Sequence, residues 1–294
     1  MNPLNAHKKD IKIAKFAGFC YGVKRAVDLS LKIKDENPEV PVYILGQLIH
    51  NTQVIEHLSR VGIQTIEEIP EKLEGICIIR THGVSPQIIA ELQNKNCKIV
   101  DATCPDVKRV QNKAKNLAEE GYRVIIIGKA DHPEVIGIKA YADLYSEEEA
   151  IVISSVNEAL SCIERIKQAK KIGIVIQTTQ KSENFKKILP VIAENSKELK
   201  IHNTICSTTF KRQQEAQALA REVELMVVVG SKSSANTTNL AEILSEITKT
   251  LHIEKPEELD QYKELLNEVN KIGVTAGAST PEFVINNVIN RIGD

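Results

Sequence analysis

One short motif occurs three times in this sequence, as CYGVKRAV at residues 20–27, CPDVKRV at residues 104–110 and CSTTFKR at residues 206–212. Each copy leads into a helical pattern and then into a β-branched apolar run that ends in glycine. That glycine lies 24 to 26 residues after the cysteine in every copy. A pattern that recurs at this spacing indicates a chain made of three similar units.

The apolar runs of the three copies are VYILG, VIIIG and MVVVG, ending at Gly46, Gly128 and Gly230. In each copy, short apolar runs alternate with helical patterns of ten to fifteen residues. This alternation predicts an α/β fold with mostly parallel sheets. We place the first unit at residues 18–103 and the second at residues 104–205.

The third unit, residues 206–294, ends in a helical pattern with no strand after it. At the other end of the chain, the apolar run of residues 11–16 precedes the first cysteine and has no unit before it. We therefore expect this N-terminal strand to complete the third sheet. The units would then form a pseudo-threefold cloverleaf around a central site.

Composition excludes several classes of function. The chain of 294 residues has a formal net charge of −1 and no long basic block, which argues against a nucleic-acid partner. No apolar run reaches the roughly eighteen residues of a membrane span, so no membrane partner is expected. The first residues lack the apolar core of a secretory signal, and a cytoplasmic location is therefore predicted.

Three of the six cysteines stand out because they begin the repeated motif. Cys20, Cys104 and Cys206 each lie at a predicted strand-to-helix turn, where the helix dipole favours the thiolate that a metal requires. Threefold symmetry would bring them to one axis, where they could hold a [4Fe–4S] cluster with one iron left open. Cys77, Cys97 and Cys162 lie outside the repeat positions and are interpreted as small apolar residues of the core.

Polar residues recur in the loops that follow the predicted strands. Histidine, serine, threonine and asparagine side chains in front of helix N-termini suit an anion such as a diphosphate. Glu134 is interpreted as the only carboxylate of these loops, and a protonated glutamate there would be the general acid. The other candidates are His50, His82, His132, Thr178, Thr179, Ser234, Asn236 and Ser279.

Taken together, several short motifs resemble a known family across nearly the whole chain, from about residue 11 to residue 292. These are AGFCYGVKRA, IHN, THGV, DATCPDV, HPEVIG, QTTQ and TAGASTP. The family that they resemble is 4-hydroxy-3-methylbut-2-enyl diphosphate reductase, also called IspH or LytB. Its reaction is the last step of the methylerythritol phosphate route to isoprenoids.

The resemblance implies the reductive dehydration of an allylic alcohol diphosphate to isopentenyl and dimethylallyl diphosphates. It implies a central [4Fe–4S] cluster on Cys20, Cys104 and Cys206, which becomes [3Fe–4S] when the open iron is lost by oxidation. Glu134 would supply the proton that releases water, and Thr178 would bind near the substrate hydroxyl. The diphosphate would be held by His50, His82, His132, Ser234, Asn236 and Ser279.

One position departs from the family pattern. Where members often carry Ser-Ser-Asn, this chain reads Ser234, Ala235 and Asn236. The hydroxyl lost at Ala235 leaves only a backbone N–H there, so weaker or rearranged phosphate anchoring is expected.

Two other readings remain open at the level of residues. The three thiolates could serve a non-catalytic iron–sulfur sensor or carrier, which would leave Glu134 and the polar loops unexplained. Alternatively, the chain could be a cluster-free α/β transferase or isomerase. No flavin or nicotinamide motif is visible, so a reductase would take electrons from a small ferredoxin or flavodoxin, and we expect a monomer.

Overall fold

The computed structural model describes residues 9–293 and contains three four-stranded sheets in which every pairing is parallel. The predicted α/β fold with three similar parallel sheets is confirmed. Strands buried on both faces of a parallel sheet read as continuous apolar runs. The sequence GICII of one central strand and LMVVV of another are examples, with four and five fully buried residues respectively.

The first sheet has the order β3-β2-β4-β5. Its apolar face packs into a cluster that includes Leu45, Cys77, Ile79 and Leu92. The elements of this part of the chain are α1 (Tyr21–Glu36), β2 (Val42–Leu45), α2 (Thr52–Arg60), β3 (Ile63–Ile66), β4 (Gly75–Ile79), α3 (Pro86–Gln93) and β5 (Cys97–Asp101).

The second sheet has the order β7-β6-β8-β9 and is covered by separate apolar clusters. Its central strand β8 is buried at all five positions. The elements are α4 (Pro105–Glu119), β6 (Arg123–Ile127), α5 (Pro133–Asp143), β7 (Ile151–Ile153), α6 (Val156–Ser161), α7 (Ile163–Gln168), β8 (Ile172–Ile176), α8 (Ser182–Glu194) and β9 (Leu199–Ile201).

The third sheet has the order β1-β12-β10-β11, and β1 (Asp10–Ile13) is its edge strand. β1 pairs in parallel with β12, as β5 pairs with β4 and β9 with β8. The N-terminal strand therefore completes this sheet, although it ends at Ile13 and not at residue 16. The other elements are α9 (Ser207–Ala220), β10 (Leu225–Val229), α10 (Ala235–Ser245), β11 (Lys249–Ile253), a 3₁₀ helix (Pro256–Tyr262), α11 (Lys263–Glu268), β12 (Lys271–Ala276) and α12 (Glu282–Gly293).

The glycine of each repeat directly follows an inner strand of its sheet and makes the same hydrogen bond in all three. The N–H of Gly46 donates to the carbonyl of Ile66 at 2.7 Å, and Gly128 and Gly230 make the same bond to the end of the adjacent strand. Gly46 also has φ +70°, and a Cβ there would overlap the Arg80 guanidinium. The backbone conformation is what disfavours a side chain at this turn, because the Arg80 guanidinium is the end of a flexible side chain and can move.

The chain divides into two compact units. The single-sheet unit comprises residues up to Tyr21, His50–Val54 and the residues from Ser207 onward. The two-sheet unit comprises Gly22–Ile49 and Ile55–Cys206. The boundaries of three units at residues 18–103, 104–205 and 206–294, and their cloverleaf arrangement, stay predictions.

No helix within residues 9–293 is both long and apolar enough to span a membrane.

Candidate functional site

The three repeat cysteines occupy equivalent positions, each one residue before a helix. Cys20 precedes α1, Cys104 is the N-cap of α4 and Cys206 precedes α9. No disulfide joins cysteines within residues 9–293.

Each of these cysteines is also fixed by the same backbone hydrogen bond. Its N–H donates to the carbonyl of a residue in the loop after the neighbouring strand, so the three turns share one geometry. The pairs are Cys20 to Ala278 at 3.1 Å, Cys104 to Thr81 at 3.0 Å and Cys206 to Thr178 at 2.9 Å.

The other cysteines differ from these three. Cys77 is buried, as expected, and burial raises the pKa of its thiol to about 11. Burial also raises the pKa of Cys97, which is only half-buried, while Cys162 is half-buried between α6 and α7. The interpretation as core residues therefore holds fully for Cys77 and only in part for the other two.

Glu134 is the centre of a buried polar group in the two-sheet unit. Only 1% of the residue is exposed, and its two carboxylate oxygens accept hydrogen bonds from the N–H and the hydroxyl of Thr178, each at 2.7 Å. Burial raises the pKa of Glu134 to about 7. The Thr178 bonds oppose that rise in pKa, and the negative charge of Asp106 adds to it. The carboxyl can therefore hold a proton near neutral pH.

His132 lies two residues before Glu134, and His82 packs against His132 in the same unit. His132 is the N-cap of α5, and its Nδ1 accepts a hydrogen bond from the N–H of Glu134 at 3.1 Å. The rings of His82 and His132 are perpendicular, with centroids 5.4 Å apart. With Nδ1 accepting, the proton of the neutral His132 ring is on Nε2.

The single-sheet unit holds the remaining candidate donors. The Ser279 hydroxyl donates to the carbonyl of His50 at 3.2 Å. Ser234 is the N-cap of α10, yet among the described residues its side chain makes no capping hydrogen bond. The Nδ2 of Asn236 is buried and has no hydrogen-bond partner within residues 9–293. A buried donor left without a partner in the first turn of a helix fits an anionic ligand.

The predicted site residues are therefore distributed over both units. Cys20 and the donors His50, Ser234, Asn236 and Ser279 belong to the single-sheet unit. The two-sheet unit holds Cys104, Cys206, His82, His132, Glu134, Thr178 and Thr179. Convergence of the two sets at one centre stays a prediction.

One buried acid is not among the site residues that the sequence predicted. Asp106 is buried in the first turn of α4, and its Oδ2 accepts a hydrogen bond from the Cys206 thiol at 2.9 Å. Asp106 lies on the helix and not in the polar loops, so it is a second buried carboxylate of the two-sheet unit in addition to Glu134. The CPD sequence at Cys104 was the available signal, since it alone of the three motifs carries an acid directly after its cysteine turn.

Comparisons with known proteins cover nearly the whole chain. The model of the LytB protein family matches residues 11–293. A 4-hydroxy-3-methylbut-2-enyl diphosphate reductase of Geobacter metallireducens is 43% identical over 284 residues, covering 96% of this chain and 96% of that protein. A protein of Clostridium tetani with the same name is 44% identical over 291 residues, which are 97% of this chain and 44% of that longer protein.

Two solved structures are similar as well. One is described as (E)-4-hydroxy-3-methyl-but-2-enyl diphosphate reductase, the terminal enzyme of the non-mevalonate pathway. It has a TM-score of 0.70 and 40% identity, covering 97% of this chain and 99% of that one. The other, the corresponding reductase of Plasmodium falciparum, has a TM-score of 0.86 and 29% identity, covering 96% of this chain and 87% of that one.

Proposed function

The chain belongs to the LytB protein family, and we propose that it reduces 4-hydroxy-3-methylbut-2-enyl diphosphate to isopentenyl and dimethylallyl diphosphates. The reaction removes the allylic hydroxyl as water and takes up two electrons and two protons. The observation that carries the proposal is the buried Glu134 carboxyl, because it can hold a proton near neutral pH and both of its oxygens are fixed by Thr178.

The cofactor we propose is one [4Fe–4S] cluster held by Cys20, Cys104 and Cys206, with one iron left without a protein ligand. Three cysteine sulfurs are suitable ligands for such a cluster. Each cysteine lies at a helix N-terminus, and its backbone N–H is hydrogen-bonded to a neighbouring loop, which fixes the turn that carries the sulfur. When bound, the cluster supplies electrons and a Lewis-acidic iron. Oxidative loss of the fourth iron gives [3Fe–4S].

Glu134 is the proposed general acid. With a pKa of about 7, roughly half of the molecules hold the proton at neutral pH. Thr178 orients both carboxylate oxygens, and its hydroxyl can also contact the substrate's oxygen. Transfer of the carboxyl proton to that oxygen makes water the leaving group, which is far better than hydroxide.

The diphosphate is proposed to bind to the polar side chains that the sequence predicted for it. His82 and His132 are the proposed imidazole contacts, and the buried amide of Asn236 offers a donor that no described residue uses. Ser234, Ser279 and His50 complete the proposed set. The helix N-termini behind Ser234 and His132 add partial positive charge.

The electron donor is proposed to be a small ferredoxin or flavodoxin, and the protein is proposed to act as a cytoplasmic monomer. Size-exclusion chromatography tests the monomer, and reduction by a purified ferredoxin tests the donor.

Anaerobic assays test the function itself. The protein reconstituted with iron and sulfide should bind about four irons per chain and turn over the allylic diphosphate with dithionite-reduced viologen. A brown protein without turnover would indicate a sensor or carrier. A colourless protein after reconstitution would indicate a cluster-free enzyme and would contradict the proposed cofactor.

A further inference from the structure

The three repeats share an arginine that has no role so far. It is the fifth residue after Cys20 and Cys104 and the sixth after Cys206, at Arg25, Arg109 and Arg212. In each copy this arginine lies on the helix that the cysteine precedes.

Arg212 is buried, with 4% of the residue exposed, and its guanidinium bonds to backbone carbonyls. It donates to the carbonyls of Phe16 and Gly18, the latter at 2.8 Å, and to that of Ala276 at 2.7 Å. Phe16 and Gly18 belong to the segment between β1 and Cys20, so Arg212 fixes the backbone directly before Cys20. A planar guanidinium can serve several acceptors in fixed directions, which an ammonium cannot.

Glu215, one turn further along α9, binds the backbone N–H groups of the same segment. Its carboxylate accepts hydrogen bonds from the N–H groups of Lys15 and Phe16, the latter at 2.9 Å. Both the N–H groups and the carbonyls of this loop are therefore bound by α9, the helix that starts after Cys206.

The same relation holds from the first repeat to the second. Arg25, on the helix after Cys20, donates to the carbonyl of Thr103 at 3.4 Å. Thr103 directly precedes Cys104, and its N–H is bound by the Asp101 carboxylate at 2.8 Å. Arg25 is exposed, so this contact is weaker than the one made by Arg212.

The arginine of the second repeat contacts the cysteine of the third repeat through a carboxylate. Arg109, on the helix after Cys104, pairs with Asp106 at 3.0 Å, and Asp106 accepts from the Cys206 thiol at 2.9 Å. The arginine on the helix after each cysteine thus acts on the turn of the next cysteine in the cycle.

We propose that Arg25, Arg109 and Arg212 are positioning residues that order, in cyclic fashion, the turns of Cys104, Cys206 and Cys20. Charge-assisted hydrogen bonds hold each cysteine turn in the conformation that presents its sulfur. This inference deepens the proposed function, because the turns are those that would hold the cluster.

The test measures each cysteine separately in the full-length protein. In the cluster-free, anaerobic protein, iodoacetamide labelling is followed by mass spectrometry at Cys20, Cys104 and Cys206. Arg212→Lys keeps the charge but loses the planar fork, and it should speed labelling of Cys20 roughly tenfold while the other two change less than about twofold. Arg25→Met should speed labelling of Cys104 about threefold, and Arg109→Met should do the same at Cys206.

Arg221→Lys is the matched control, because Arg221 lies just beyond the same helix α9, is exposed and bonds only locally to Gln217. It should leave all three rates unchanged. In the reconstituted protein, Arg212→Lys should also lose iron to a chelator several-fold faster than Arg221→Lys. Far-UV circular dichroism identifies any variant that fails to fold, and the exposed Arg25 keeps the proposal testable if Arg212→Lys does so.

Equal labelling rates in the unmodified protein and all three variants would overturn the proposal, and so would a uniform rise at every cysteine. If the unmodified protein fails to bind iron and sulfide, the proposed cluster is wrong. The labelling pattern would in that case still decide whether the arginines order the turns.

Discussion

The N-termini of α5 and α10 are equivalent places in two repeats, and they carry different chemistry. His132 and Ser234 are the two N-caps, and Glu134 and Asn236 lie two residues further on. In α5 the second position is an acid whose oxygens are both bound by Thr178. In α10 it is an amide, and the residue equivalent to Thr178 is Ala278, which has no hydroxyl.

Equivalent positions of two repeats therefore carry side chains with different chemistry. At the N-terminus of α5, the Glu134 carboxyl is buried and hydrogen-bonded, and its pKa is raised to about 7. The α10 terminus leaves the Asn236 Nδ2 without a partner in the described part of the chain. We interpret the first as the place that stores a proton and the second as a place that binds an anion.

The largest expected effect comes from Glu134→Gln, which turns the acid of α5 into an amide like that of α10. The amide has the size and shape of the carboxyl group but carries no acidic proton. The value of kcat should therefore fall by roughly 10²–10⁴-fold, with iron content unchanged. Steady-state kinetics and iron analysis measure both. Glu164→Gln, at a side chain 82% exposed, is the control and should retain full activity. Unchanged kcat in Glu134→Gln would remove Glu134 as the acid.

Asn236→Asp makes the reverse exchange at α10. A negative charge would replace a donor in the proposed anion site, so KM should rise at least about tenfold while kcat changes less. Substrate titration by steady-state kinetics separates the two parameters. A fall in kcat at constant KM would place Asn236 in proton transfer and not in anion binding.

Thr178→Val removes the side-chain bond that Ala278 lacks in the third repeat. This bond lowers the pKa of Glu134, so its loss should raise that pKa further above 7. Activity that needs protonated Glu134 is present below this pKa and is lost as pH rises through it. The alkaline limb of the pH–kcat profile should therefore move to higher pH, by about one unit. If the alkaline limb stays in place in Thr178→Val, the Thr178 hydroxyl does not set the pKa of Glu134.

Ala235→Ser should have the smallest effect. It adds a hydroxyl at the first residue of α10. One added donor to a bound diphosphate should lower KM about two- to fivefold. Inhibition by inorganic diphosphate should strengthen in parallel. An unchanged KM would mean that the backbone N–H already serves the anion at this position.

Because the three repeats share one sequence pattern, much of the fold could be predicted from the sequence. Each cysteine motif, each glycine-ended strand and each polar loop recurs in the same order, so three parallel sheets followed from local patterns. The shared backbone bonds, such as that from Cys104 to Thr81, account for this regularity. The N-terminal strand was assigned to the last sheet because only one unit lacked a fourth strand.

Contacts between repeats could not be read in this way. Asp106 and Cys206 are 100 residues apart, and no local pattern predicts that this carboxylate accepts from that thiol. Arg212 and Phe16 are separated by 196 residues. The KR pair was visible in all three motifs, yet exposed basic residues on a helix usually have no specific partner, so the pattern carried no prediction.

By itself, then, the sequence determined the three parallel sheets and predicted the three cysteine turns and the polar loops. These depend on hydrophobic period and turn chemistry, which act over a few residues. Only the tertiary structure decided that Glu134 is buried against Thr178 and that arginine helices bind the cysteine turns that follow in the cycle. Burial and its effect on a pKa depend on which distant groups exclude water, and that is fixed only when the chain has packed.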